Sequence, residues 1–168
     1  MKIVKRILKE VREKGDEAVK RYTEKFDGAK LESLEVSRSE IKRSYKLVNG
    51  ETMDALKQAA ENVRFFAKKQ MAQLKDFRVK RKGVTLGQKI IPLERVGCYV
   101  PGGRYPLPSS ALMSVIPAKV AGVKEVIVCS PKIAPVTIVA ADLAGADRIF
   151  SIGGAQAIGA MAYGTETV

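Results

Sequence analysis

Three short runs of apolar, mostly β-branched residues punctuate the second half of this chain, at positions 96–100, 126–129 and 149–152. Between them lie segments that read as helices, at about 110–121 and 134–144, and a last helix of about 155–163 follows the third run. Strands that are apolar at consecutive positions must be covered on both faces. Strand and helix alternating three times therefore predict an α/β arrangement, a parallel three-stranded βαβαβα unit. Right-handed crossovers bring the three loops that leave the strands to one edge of the sheet. That carboxyl edge is where such sheets take ligands.

The first half has a different texture. Residues 1–94 hold 24 Lys and Arg against 14 Asp and Glu, whereas residues 95–168 hold 6 against 4, so a boundary is placed at 94. Ile3, Ile7, Leu8 and Val11 share a helical face. Gly15 should end that helix and Asp16 cap the next, with Ala18, Val19, Tyr22 and Phe26 turned inward. Residues 34–36 are a short strand candidate. Ser37-Arg38-Ser39-Glu40 has the spacing of a capping box, so a helix should run to about Val48, where Asn49-Gly50 breaks it. A longer helix of about 51–71 turns Met53, Leu56, Ala60, Val63 and Ala67 to one face. From Phe77 to Leu93 the period becomes strand-like, with tight turns at Lys82-Gly83 and Gly87.

Two loops at the expected ligand edge carry adjacent glycines. The first reads Pro101-Gly102-Gly103-Arg104 and continues through two further prolines, Pro106 and Pro108, to Ser109 and Ser110, either of which could cap the next helix. The other reads Gly153-Gly154-Ala155-Gln156 and makes Gln156 the one long polar side chain at a helix start. Neither matches the phosphate-loop or the dinucleotide fingerprint. Glycine pairs allow close backbone approach, so these loops are binding candidates without being diagnostic.

Composition removes several chemistries. The chain has no histidine, hence no imidazole for acid–base work or metal ligation, and its two cysteines, Cys98 and Cys129, sit in apolar runs. No apolar run is long enough to span a membrane and no leader-like stretch opens the chain, which reads as cytoplasmic. A basic cluster of Arg64, Lys68, Lys69, Lys75, Arg78, Lys80, Arg81 and Lys82 has only Asp76 among it. It allows a competing reading, a non-catalytic basic module that binds nucleic acid or a partner chain. A solvated charged face accounts for it more simply.

RVGCYVPGG, PLPSSALMSVIPAKVAG, EVIVCSP and GGAQAIGAMAYGTETV, preceded by GDEAVKRYTEKFDG, resemble the histidinol dehydrogenase family in order and over nearly the whole chain. The resemblance implies an incomplete Rossmann-like domain over 95–168. It also implies an NAD- and zinc-dependent oxidation of L-histidinol to L-histidine by an intertwined homodimer. By motif, Tyr99 and Gln156 become the NAD contacts, with Pro101, Gly102, Gly103, Gly153 and Gly154 as loop candidates. No catalytic residue and no metal ligand of the family falls within these residues. The family's Glu-His proton pair, zinc ligands and a further NAD-contacting asparagine would lie past Val168, and a Phe-His common in the long helix reads Phe66-Ala67. The resemblance thus implies an N-terminal fragment, inactive alone, binding NAD weakly at best. Three parallel strands with two open edges and a bare apolar last helix imply self-association.

Overall fold

The computed structural model describes residues 2–168. Its elements are α1 (Lys2–Asp27), α2 (Arg38–Leu47), α3 (Gly50–Met71), β1 (Phe77–Arg81), β2 (Val84–Gln88), β3 (Arg95–Tyr99), α4 (Pro108–Val120), β4 (Glu125–Cys129), α5 (Pro135–Ala144), β5 (Arg148–Phe150) and α6 (Gly154–Tyr163). The second half is the expected parallel sheet, in the order β3-β4-β5, with Val96 beside Val126 and Val128 beside Ile149.

Each strand feeds two cores. Val126 and Val128 join Leu112, Val115 and Ile116 of α4, Val139 of α5, Ile41 of α2 and Leu56 of α3 on one face. Ile127 and Cys129 join Val11, Val19, Phe150 and Ala157 on the other, beneath α1 and α6. This is the period-2 alternation of a strand buried on both sides. Residues from either side of position 94 meet in both cores.

The α1 segment folds back on itself. Glu10 and Arg21 form an ion pair. In a straight helix residues eleven apart would be separated by about 16 Å along the axis. The reversal is at Gly15, with φ 51° and ψ −133°, a conformation that a side chain would strain. A Cβ there would also collide with the carboxylate of Glu166. Asp16 does not cap the second half with its own side chain. Its N–H donates to Glu166 (2.7 Å), and its carboxylate accepts the hydroxyls of Thr165 and Thr167. A long-range partner thus replaces the local cap. Phe26 also departs from its expected inward position: it is 51% exposed and stacks on Tyr22, because the last turn of α1 overruns the core.

The capping box of α2 forms as read, with Ser37 and Glu40 exchanging bonds. Asn49 does more than end a helix: its side chain accepts from Thr52 N–H (2.8 Å) and starts α3. Residues 34–36 cover one edge of the sheet. Val36 N–H donates to the Ile149 carbonyl and Ser151 N–H to that of Leu34, with Glu35 bridged antiparallel to Phe150. The expectation of two open edges is therefore corrected at β5. The apolar side of α6 is not bare either, since α1 packs on it through Leu8 and Val11 against Gly159.

β1 and β2 form a hairpin turned at Lys82 and Gly83, both at positive φ. Its apolar side chains, Phe77, Val79, Val84 and Leu86, stay more than half exposed. Among the described residues, no helix is long and apolar enough to cross a membrane.

Candidate functional site

The carboxyl edge of the sheet gathers three loops. Tyr99 ends β3, Cys129 ends β4 and Phe150 ends β5. The hydroxyl of Tyr99 accepts a hydrogen bond from Gly154 N–H (3.1 Å), the first residue of α6. The first and third loops, which the sequence could only place at the same edge, are thereby joined at one point.

Gln156 lies in the first turn of α6 and is 1% exposed. Its Oε1 is buried without a hydrogen-bond partner. A Cβ on Gly154, which also has a positive φ of 65°, would stand 2.8 Å from that oxygen. Glycine is therefore required there by the glutamine as well as by the backbone. An unpaired buried amide oxygen costs roughly 1–3 kcal/mol and calls for an explanation. A donor supplied by a ligand at this edge is one.

The glycine pairs divide two tasks. A Cβ on Gly102 would come within 2.9 Å of the Ser130 hydroxyl and 3.0 Å of the Pro131 carbonyl, and one on Gly153 would collide with the Pro131 ring. These two glycines make room for the middle loop. Gly103 meets nothing within 4 Å and takes φ 95°. Pro101 is exposed at the start of the first loop, just after Val100, whose N–H donates to the Cys129 carbonyl.

Ser109 and Ser110 do not cap α4. Leu107 holds the N-cap position without a side-chain bond, and Pro108 begins the helix. Proline's fixed φ suits the first helical turn and starts the helix earlier than a serine cap would.

The sequence reading placed the middle loop at this edge but drew no candidate residue from it. Ser130 and Pro131 hold the other two loops apart, and Lys132 brings a cation to the edge. The signal available was a strand ending in Ser-Pro-Lys before a helix, without any glycine. Asp27, at the end of α1, faces Lys132. Burial raises its carboxyl above the usual range, and the lysine opposes the rise. One oxygen of Asp27 and the hydroxyl of Thr23, one turn earlier on α1, are buried without partners.

The cysteines lie on opposite faces of the sheet, Cys98 in one core and Cys129 in the other. Burial pushes both thiols up, Cys129 to about 12, with Cys98 adding to the effect. Neither is an ionised ligand or nucleophile near neutral pH.

The basic cluster spreads over the end of α3 and the hairpin. Arg64 donates to the Leu143 carbonyl (3.3 Å) and Lys69 lies over the Phe65 ring. Phe65, Phe66 and Phe77 are exposed and belong to neither core.

The family profile described as histidinol dehydrogenase matches residues 1–168. A histidinol dehydrogenase of Methanocaldococcus jannaschii is 51% identical over 98% of this chain and 40% of its own length. One of Aquifex aeolicus is 50% identical over 99% of this chain and 39% of its own. The crystal structure of histidinol dehydrogenase from Elizabethkingia anophelis superposes with a TM-score of 0.92 at 37% identity, covering 99% of this chain and 40% of that one. The chain spans about 40% of the length of the relatives it matches.

Proposed function

The chain belongs to the histidinol dehydrogenase family, and from that membership we propose that its sheet edge contacts NAD in the oxidation of L-histidinol to L-histidine. NAD, when bound, accepts hydride from the substrate carbon. The observation that supports the reading is the junction of Tyr99 with Gly154, beside the unpaired amide oxygen of Gln156. Tyr99 braces the start of α6, and Gln156 offers a desolvated acceptor to a donor group of the cofactor. In this reading residues 95–168 carry the edge, and residues 1–94 support it through the two cores.

The residues present do not fit a zinc site. The chain has no histidine, and among the described residues no cluster of three or more potential ligands forms. Metal-dependent steps are therefore not assigned to these residues. Proton transfer at the substrate needs a group that titrates near the working pH, placed within reach. This edge supplies none of the kind the family uses. We infer that the 168-residue polypeptide by itself does not oxidise histidinol.

Self-association stays part of the proposal. Among the described residues, β3 has a strand neighbour on one side only, and the hairpin's apolar face is unpacked.

Saturation-transfer NMR with NAD, alongside a spectrophotometric assay for NADH with L-histidinol, tests the reading. Saturable transfer to NAD protons without NADH formation is the expected outcome. Absence of transfer, or steady turnover by the purified chain, overturns it.

A further inference from the structure

We propose that the cavity between the first and middle loops is a binding site for a phosphate group. The cavity has a volume of about 200 Å³ and is lined by Arg104, Tyr105, Ser130, Lys132 and Thr137, with Gly102 at its wall. It is too small for a whole dinucleotide, since sites for complete small molecules run to about 300–1,000 Å³. It has room for one charged group.

The local charge is of one sign. No Asp or Glu occurs from Pro101 to Val123 or from Ser130 to Ala141. Arg104 and Lys132 take part in no ion pair closer than 4 Å among the described residues. The acid that faces Lys132 is Asp27, whose carboxyl burial biases toward the neutral form.

Hydroxyls of two otherwise buried residues complete the wall. Ser130 and Thr137 are each 2% exposed and line this cavity. The hydroxyl hydrogen bonds of the described residues involve other serines, threonines and tyrosines, and none uses Ser130 or Thr137. Thr137 stands in the first turn of α5, which is capped by Ala134 without any side-chain bond. The positive end of that helix therefore points at the cavity unopposed. Guanidinium, ammonium and two hydroxyls form a donor set for phosphate oxygens, not for a cation or an apolar group, and the helix start adds its dipole, since Pro135 has no N–H and the Thr137 N–H already donates to the Ala134 carbonyl.

The phosphate could be one of the dinucleotide's own or a free phosphate, and the chemistry that holds it is the same. Only the first case rests on the NAD reading above. Titration of the 168-residue chain with inorganic phosphate, at ionic strength held constant with chloride, tests the site directly. Saturable binding should weaken about tenfold or more in the Arg104→Ala/Lys132→Ala double variant, whose changed side chains are exposed. It should hold or tighten in Asp27→Asn, which removes the opposing carboxylate. Circular dichroism of each variant checks that the fold persists. NAD that displaces phosphate assigns the site to the cofactor. NAD that binds alongside phosphate assigns it to a free anion, and both results support a phosphate site. Phosphate binding with no NAD binding leaves this site standing and removes the NAD reading. No saturable phosphate binding, or binding unchanged in the double variant, overturns the proposal, even where NAD binds through Gln156.

Discussion

The Tyr99 hydroxyl and the Gly154 N–H lie 3.1 Å apart, 55 residues apart in sequence, and their hydrogen bond ties the end of β3 to the start of α6. The bond spends one of the first-turn donors of α6 on a side chain of the next-but-one strand. Tyr99→Phe should therefore loosen the third loop without emptying the core. A neutral hydrogen bond contributes about 1 kcal/mol. A loss of about that size in urea denaturation, together with faster amide exchange at Gly154, is the expected outcome.

Gln156 should show opposed effects on stability and binding. Its buried amide oxygen has no partner, so the ligand-free chain carries an unmet acceptor. Gln156→Met keeps much of the volume and removes the acceptor. Thermal unfolding of the free variant should shift up, by about 1 kcal/mol, while NAD affinity falls. A variant that is both less stable and equally able to bind would contradict this role.

The fold-back at Gly15 should be intolerant of any side chain. Gly15→Ala meets both the backbone strain and the Glu166 carboxylate, and a loss of about 2–3 kcal/mol is expected. Adding Glu166→Ala to the same chain should recover little, because the exposed carboxylate can move aside and its removal also takes away the acceptor of the Asp16 N–H. Full recovery would mean that the backbone at position 15 is not strained.

Alkaline pH should destabilise the chain in a defined window. In the unfolded state the thiols ionise from about pH 8.5. In the fold burial, and then the neighbouring Cys98, push the Cys129 thiol up to about 12. The folded state thus holds the proton longer, so its stability is fully present below about pH 8.5 and is lost as pH rises toward 12. Tyr45 adds in the same direction, raised by burial and by its bond to Asp142. Denaturation midpoints at successive pH values should fall by up to about 1.4 kcal/mol per unit for each such group. Cys129→Ala should flatten the slope, and an unchanged slope would exclude the thiol as a source.

The sequence disclosed the sheet because its strands are apolar at consecutive positions, a pattern that survives any tertiary detail. It disclosed the capping box at Ser37 and Glu40 for the same local reason. The cap at Asp16 and the serine caps at Ser109 and Ser110 went otherwise, because long-range partners and a proline at the first turn displaced them. The break of α1 at Gly15 was legible as a helix stop, whereas the cover that residues 34–36 lay over β5 and the wedge at Pro131 depend on residues more than fifteen positions apart in sequence. No periodicity carries such information. At the site, the motif placed Tyr99 and Gln156 at one edge, but their link through Gly154 and the unpaired oxygen are properties of geometry alone.

Isothermal titration of NAD into the chain and into Gln156→Ala and Tyr99→Ala tests the central claim, that this edge is a cofactor surface. The account expects saturable binding weaker than about 10 µM, roughly 7 kcal/mol or less, reduced in both variants. Binding that neither substitution weakens, or no binding at millimolar NAD, would contradict it.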